Sequence, residues 1–291
     1  MVATPLFTVL MPTHGRPDVI KYAIRSVLAQ TERDFELLVV GDGAVSGTEE
    51  AVRAFSKDSR VKWLDFPKAT GFGYANRNRA LRVARGRLVA FAPDDDLLLR
   101  DHLELMRRQF TDASVQMAYS QVFWVSTDGI AAPDLTNLSF NDELAYFLTQ
   151  GNTIAAGGVV YRASAFLDRE IWPETAGGNG DMVAWRRLID THGIGAVRYL
   201  RTPTVLHFSA RRKNARHSNS GRLAAYIKIA ETSRWWPAEL KLAIPPGRTE
   251  QEVYAERMAS NPAAWTAAIR QAALDCTNRL AMDRLRLLSP E

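Results

Sequence analysis

The sequence predicts an α/β protein, with a mostly parallel sheet flanked by helices and a helical appendage at its C-terminal end. Three observations carry this. Short apolar runs alternate with helical patterns through the first 126 residues, several of those runs are unbroken, and from residue 220 onward only helical spacing remains. An unbroken apolar strand suits a sheet with both faces covered.

The elements follow in order. "LFTVLM" (6–11), "FELLVV" (35–40), "VKWLDF" (61–66), "RLVAFA" (87–92) and "VQMAYSQVFWV" (115–125) read as strands. Between the first two, Val19, Ile20, Ala23, Ile24, Val27 and Leu28 recur at helical spacing behind Pro17, a residue suited to a first helical turn. Residues 48–57 and 75–85 behave similarly, the second ending at Gly86, where left-handed backbone would stop the helix. Strands joined by such helices form right-handed βαβ units. The tail, "LAAYIKIAETSRWW", "EQEVYAERMA" and "AAWTAAIRQAALDCTNRLAMDRLRLL", is helical throughout, broken at "AIPPGR" and "NPA". There is no internal repeat.

Ligands of such sheets bind beyond the carboxyl ends of the strands. Three polar clusters fall there: "PTHGR" (12–16), "GDG" (41–43) and "PDDD" (93–96). Each alone reads equally as a turn, and Asp96 equally as the cap of a helix through "LLLRDHLELMRRQF". Together they mark one rim. Two like charges about 4 Å apart repel by roughly 4 kcal/mol at an effective dielectric near 20, so Asp94, Asp95 and Asp96 need compensation, and a divalent cation would supply it.

Composition narrows the classes. The chain has 291 residues, 46% hydrophobic and 24% charged, as in an ordinary globular protein. No run reaches the 18 uncharged apolar residues of a membrane span, and "MVATPLFTVLMPTHGRPD" lacks the features of a secretory signal. The expected location is the cytoplasm. The single cysteine, Cys276, excludes an internal disulfide and a cysteine-based zinc cluster, and its neighbours suggest a packed helix position. The +5 net charge allows nucleic acid, an anionic membrane surface or a phosphorylated substrate as partner. The densest basic cluster is "SARRKNARHSNSGR" (209–222).

The stretch "TVLMPTHGRPDVIKYAIRSVLAQTERDFELLVVGDGAVSGT", continued by "ANRNRALRVARGRLVAFAPDDD", resembles the opening of family 2 glycosyltransferases, and a weaker likeness runs to about residue 210. The resemblance implies the Rossmann-like GT-A fold and an inverting transferase that uses a nucleotide-diphosphate sugar, UDP-linked by default. By the same resemblance Pro12, Thr13 and His14 border the nucleotide base, and Asp42 accepts a hydrogen bond from it. Gly41 stands where the family carries the first acid of an Asp-Asp-Gly turn. Arg77 and Asn78 match a pair whose helix lines the donor pocket.

The family's Asp-x-Asp motif falls on Pro93, Asp94 and Asp95, so its first acid is absent. Asp95 is then the metal ligand, Asp94 lies nearer the ribose, and His207 matches a late histidine near the metal or the diphosphate. The implied cofactor is Mn²⁺ or Mg²⁺, completed by diphosphate oxygens and water. Asp181, at the start of an amphipathic helix in "GGNGDMVAWRRLID", reads as a helix-end carboxylate or, by resemblance, as the catalytic base. His217 and the basic run Arg211, Arg212, Lys213 and Arg216 suit a lid over the diphosphate.

The resulting division is a nucleotide-sugar half (1–126), an acceptor and catalytic half (127–219) and a helical extension (220–291). The acceptor is a hydroxyl of a glycan or glycolipid, with no nucleic acid partner expected. The extension has three outcomes open: packing on the catalytic domain, forming a homodimer, or resting on the inner face of the membrane through Trp235 and Trp236. A sugar nucleotidyltransferase shares a similar sheet and acidic site, but "PTHGRPD" lacks the Gly-rich Arg-Lys loop it would carry after the first strand. A non-catalytic nucleotide- or nucleic-acid-binding protein is the third reading, favoured only by the basic balance.

Overall fold

The computed structural model of the chain describes residues 4–125, 131–133, 136–166, 168–208, 240 and 242–288. The basic run with His217, the helical pattern around Trp235 and Trp236, and the side chain of Cys276 lie outside what is described.

Alternation of strand and helix produces the expected sheet. β1 (Phe7–Thr13), β2 (Phe35–Asp42), β3 (Val61–Phe66) and β4 (Leu88–Phe91) are parallel, in the order β3-β2-β1-β4. β5 (Leu97–Leu98), β6 (Met117–Val125), β7 (Ala131–Pro133), β8 (Val159–Arg162) and β9 (Val197–His207) extend it as β8-β6-β9-β5, with β7 on β6. β8 runs against both β4 and β6, so β6 and its parallel neighbour β9 point the same way as β1–β4.

Side-chain alternation shows why unbroken apolar runs were needed. Val9 and Met11 of β1 and Leu37 and Val39 of β2 join one core with Ile20, Ile24 and Val27 of α1 (Pro17–Leu28). Leu10, Leu38 and Val40 face the other way, into a core with Leu81, Trp172 and Trp185. Both faces of these strands are dry. In α1, Pro17 opens the helix and Asp18 and Arg25 complement its dipole at opposite ends. The helix after β2 is α2 (Thr48–Arg53); after β3 comes α3 (Tyr74–Val83), entered from left-handed Gly73.

Gly86 departs from expectation. α3 ends at Val83 with Ala84 already extended, and Gly86 is not left-handed. Its reason is space: a Cβ there would lie 2.1 Å from the backbone nitrogen of Thr8, and Gly86 N–H donates to Thr8 Oγ1 (2.9 Å). The residues after the acidic triplet also differ. The helix expected through "LLLRDHLELMRRQF" begins only at His102, as α4 (His102–Arg108), and Leu97–Leu98 instead pair with Leu206 and Val205 of β9.

The second half adds α5 (Asn141–Thr149) and α6 (Gly180–His192), and the tail adds α7 (Glu250–Ser260) and α8 (Pro262–Leu288). Tyr254 of α7 and Trp265 and Ile269 of α8 form a third core with Leu97, Leu99, Phe123, Leu206 and Phe208. Leu97 and Leu99, which follow the acids, are therefore covered by the tail, whereas Leu98 joins the core beneath α1. No helix among the described residues is long and apolar enough to cross a membrane.

Candidate active site

The strand ends deliver the three polar clusters to one rim. Asp42 closes β2 and is buried. Its Oδ1 accepts from Ala69 N (2.8 Å) and Asn76 Nδ2 (2.6 Å), and its Oδ2 accepts from Lys68 Nζ (2.5 Å). Burial pushes this carboxyl up, but the bonds from Lys68, Ala69 and Asn76 outweigh it and hold the group below its usual range. The close fit needs Gly73, since a Cβ there would lie 2.6 Å from Asp42 Oδ2. Exposed His14, in the loop after β1, donates from Nδ1 to the Asp42 carbonyl (2.8 Å), and Pro12 pairs in register with Val40.

Gly41 has its own cause. A Cβ there would sit 2.6 Å from Cη2 of Trp63 and 3.0 Å from Oδ1 of Asp65, both on β3. The indole fills the space that a side chain at residue 41 would need.

The acidic triplet diverges. Asp94 accepts from Thr13 Oγ1 (2.7 Å) and Arg16 Nη1 (2.6 Å). The same Arg16 nitrogen lies 2.8 Å from Asp95 Oδ2. Burial and the neighbouring Asp95 push the Asp94 carboxyl up to about 6, against the opposing pull of Arg16 and Thr13. Asp96 turns away: its two oxygens each lie 2.8 Å from Nδ1 of His207, and Oδ1 accepts from Phe208 N (3.3 Å). It caps no helix, because α4 starts after Asp101. Part of the compensation expected from a metal thus comes from Arg16, while His207 and the Phe208 amide serve Asp96 by hydrogen bonds.

The donor chemistry fits a divalent cation in one respect. A carboxylate only accepts, so His207 Nδ1 carries the proton of its bond to Asp96. Carboxylate-backed histidines commonly ligate metals this way. The ring is fixed edge-on against Trp124, centroids 4.3 Å apart. Asp95 offers a hard oxygen donor. No group of three or more candidate ligands occurs among the described residues, so most of the coordination shell would come from substrate and water.

Asp181 stands in the first turn of α6. Its Oδ1 accepts from Trp172 Nε1 (2.7 Å) and lies 3.4 Å from Arg77 Nη1. Both partners come from outside its own helix. The Arg77 guanidinium rests over Tyr74 and Trp172, 5.0 and 5.6 Å from their ring centres. Tyr74 in turn accepts from Gly180 N (2.9 Å), and a Cβ on Gly180 would come within 2.3 Å of the Tyr74 ring. Asn78 is turned to backbone: its Nδ2 donates to Trp172 O (2.9 Å), and its Oδ1 accepts from Ile171 N (3.1 Å) and Trp172 N (3.2 Å). It anchors the strap that carries Trp172.

A single chain of contacts therefore joins the clusters. Arg16 holds Asp94 and Asp95, His14 two residues earlier holds the Asp42 carbonyl, Asn76 holds the Asp42 side chain, and Arg77 reaches Asp181. Sequence reasoning missed Arg16, Lys68, Asn76, Tyr74 and Trp172. Arg16 and Asn76 did lie inside quoted motifs, "PTHGR" and "ANRNRAL", which was the available signal.

The architecture is that of the GT-A glycosyltransferases. A mannosyltransferase from Pyrobaculum calidifontis, solved with GDP-Man and Mn²⁺, has a TM-score of 0.54 and 16% identity, with 99% of this chain and 82% of that chain covered. Residues 8–171 match the sequence profile described as "Glycosyl transferase family 2", and the chain belongs to that family. It is 34% identical over 125 residues to the Escherichia coli UDP-Glc:alpha-D-GlcNAc-diphosphoundecaprenol beta-1,3-glucosyltransferase WfgD, covering 43% of this chain and 49% of WfgD. It is 25% identical over 190 residues to an uncharacterized glycosyltransferase of Rickettsia conorii, covering 65% of this chain and 31% of that one. The chain thus spans between about a third and a half of the length of these curated relatives.

Proposed function

We propose that the protein is an inverting glycosyltransferase that moves a sugar from a nucleotide-diphosphate donor, UDP-linked, to an acceptor hydroxyl. The carrying observation is the run of contacts from Asp95 through Arg16, His14, Asp42 and Asn76–Arg77 to Asp181, which links the proposed donor-binding and proton-accepting groups. WfgD, named for a UDP-Glc donor, supports the donor class.

Asp42 supports uridine in particular. A carboxylate offers about four acceptor positions. Both on Oδ1 and one on Oδ2 are taken by Ala69, Asn76 and Lys68, leaving one on Oδ2. Uracil presents one ring N–H, whereas guanine presents an adjacent pair that calls for both oxygens. The exposed ring of His14 offers a face for stacking on the base, and Asp94, steered by Thr13, is the acceptor placed for the ribose.

Asp95 and His207 are the donors that would hold Mn²⁺ or Mg²⁺, whose chemistry when bound is to neutralise charge on the leaving diphosphate. Asp181 accepts the proton of the attacking hydroxyl. Trp172 and Arg77 fix which oxygen carries out that transfer: Oδ1 is engaged, so Oδ2 faces the acceptor. Attack from the side opposite the diphosphate inverts the anomeric carbon. Asn78, through Trp172, is a positioning residue.

The test is incubation with UDP- and GDP-hexoses, with Mn²⁺ or Mg²⁺ and an acceptor panel. Release of nucleoside diphosphate with an inverted glycoside supports the proposal. Release of pyrophosphate would assign the protein to nucleotidyl transfer, and salt-dependent nucleic-acid binding without turnover to a binding role.

A further inference from the structure

Asp94, Asp95 and Asp96 do not share their compensation equally. Asp96 is served by His207 and the Phe208 amide, whereas Asp94 and Asp95 converge on one nitrogen, Nη1 of Arg16, at 2.6 and 2.8 Å. The exposures set the direction of approach. The side chains of Asp94 and Asp95 are 5% and 12% exposed, and that of Arg16 is 31% exposed. Arg16 is therefore the most solvent-accessible member of this trio. Burial disfavours its charge, but Asp95 and Asp94 outweigh that and keep it protonated. Arg16 also sits at the junction of the β1 loop and α1, immediately before Pro17, with non-helical backbone, so its side chain is carried by a loop rather than by a packed helix face.

We propose that Arg16 is an exchangeable counterion: in the donor-free protein it occupies the acidic pair, and on donor binding it yields Asp95 to the divalent cation and pairs with the donor diphosphate. A guanidinium and a divalent cation compete for the same carboxylate oxygens, because their like charges disfavour joint occupancy. Arginine suits the second role as well, since its fork of donors matches phosphate oxygens. The cation then enters with the diphosphate, and entry of the cation alone is resisted. The diphosphate half of this exchange rests on the transferase reading; the competition for Asp95 does not.

The experiment measures binding of Mn²⁺ alone to the full chain, by the electron paramagnetic resonance signal of free Mn²⁺, and repeats it with UDP. The wild type binds Mn²⁺ alone weakly, Arg16→Gln binds it at least tenfold more tightly, Arg16→Lys stays close to wild type, and Asp95→Asn removes the gain in the Arg16→Gln background. With UDP present the wild-type affinity rises at least tenfold and the Arg16→Gln affinity rises less. If Arg16→Gln binds Mn²⁺ no more tightly than wild type, the exchange is wrong. Should that variant not fold, the wild type alone decides: equal Mn²⁺ affinity with and without UDP overturns the inference. A tighter Mn²⁺ site in Arg16→Gln with no UDP-sugar turnover in the wild type would retain the competition and discard the transferase reading.

Discussion

Replacing Asp181 by asparagine removes a proton acceptor and little else. Asparagine is nearly the same shape, and its amide oxygen still accepts the Trp172 Nε1 bond seen at 2.7 Å. The lost ion pair to Arg77 is long, 3.4 Å, between side chains 19% and 24% exposed, and pairs of this kind contribute about 0–1 kcal/mol. The melting temperature should therefore move by no more than about 4 °C. The chemical step loses general-base assistance worth roughly 10²–10⁴-fold, or about 3–5 kcal/mol of barrier. The assay pairs nucleoside diphosphate release, in the presence of an accepted acceptor, with a thermal melt of the same preparation. A hundredfold or greater fall in kcat, with KM for the donor within about threefold, is expected. Transfer within threefold of wild type refutes Asp181 as the base, and a collapse of the melt would show a structural role instead.

Three further outcomes follow from individual contacts. Asn78→Leu leaves two backbone N–H groups and one carbonyl at Ile171–Trp172 without their partner, each worth about 1–3 kcal/mol when buried, so the melt should fall by several degrees, and an unchanged melt would contradict the anchoring role. Gly41→Asp, which restores the family's acid, drives a side chain into Trp63 and should cost roughly 1–3 kcal/mol in urea denaturation, relieved by adding Trp63→Leu. Glu36 is buried on β2; burial raises its carboxyl, but Lys62, Arg85 and Thr8 outweigh that and hold it below its usual 4.5. Its ionised form is therefore favoured in the folded state, a stabilisation fully present above about 4.5 and lost as pH falls through the lower folded value. Glu36→Gln should be less stable than wild type by about 2 kcal/mol at pH 7, with the gap closing below pH 4.5; a gap independent of pH would sink this account.

Periodicity carried the fold well where packing is local. The alternation in "FTVLM" and "FELLVV" maps directly onto two cores, and Pro17 did open a helix. It failed where a distant element decides. Leu97–Leu99 look helical in isolation, but β9, far along the chain, supplies a pairing edge in register, as Leu97↔Leu206 and Leu98↔Val205 show. Gly86 looked like a helix stop because the closeness of Thr8 is not written nearby. At the site, the carboxylates were legible as acids at strand ends, while their partners were not. Trp172 lies in "IWPETAGG", a stretch without any periodicity, and only the fold brings its indole to Asp181. Arg16 stood in a quoted motif, yet nothing in the chain order says that it spans 78 residues to Asp94.

The tail helices have a practical corollary. Gln251 of α7 donates to the carbonyl of Asp95 (3.0 Å), Arg270 of α8 grips Asp101 (2.6 and 2.8 Å), and Tyr254 and Trp265 cover Leu97, Leu99 and Phe208. All four lie beyond the segment that matches the family profile. Anyone trimming the gene to that segment would strip an oily surface bare beside the acidic loop and invite clumping of the product. Grafting this donor site onto another acceptor module calls for carrying the last forty-odd residues along as well, since they brace the same loop from behind.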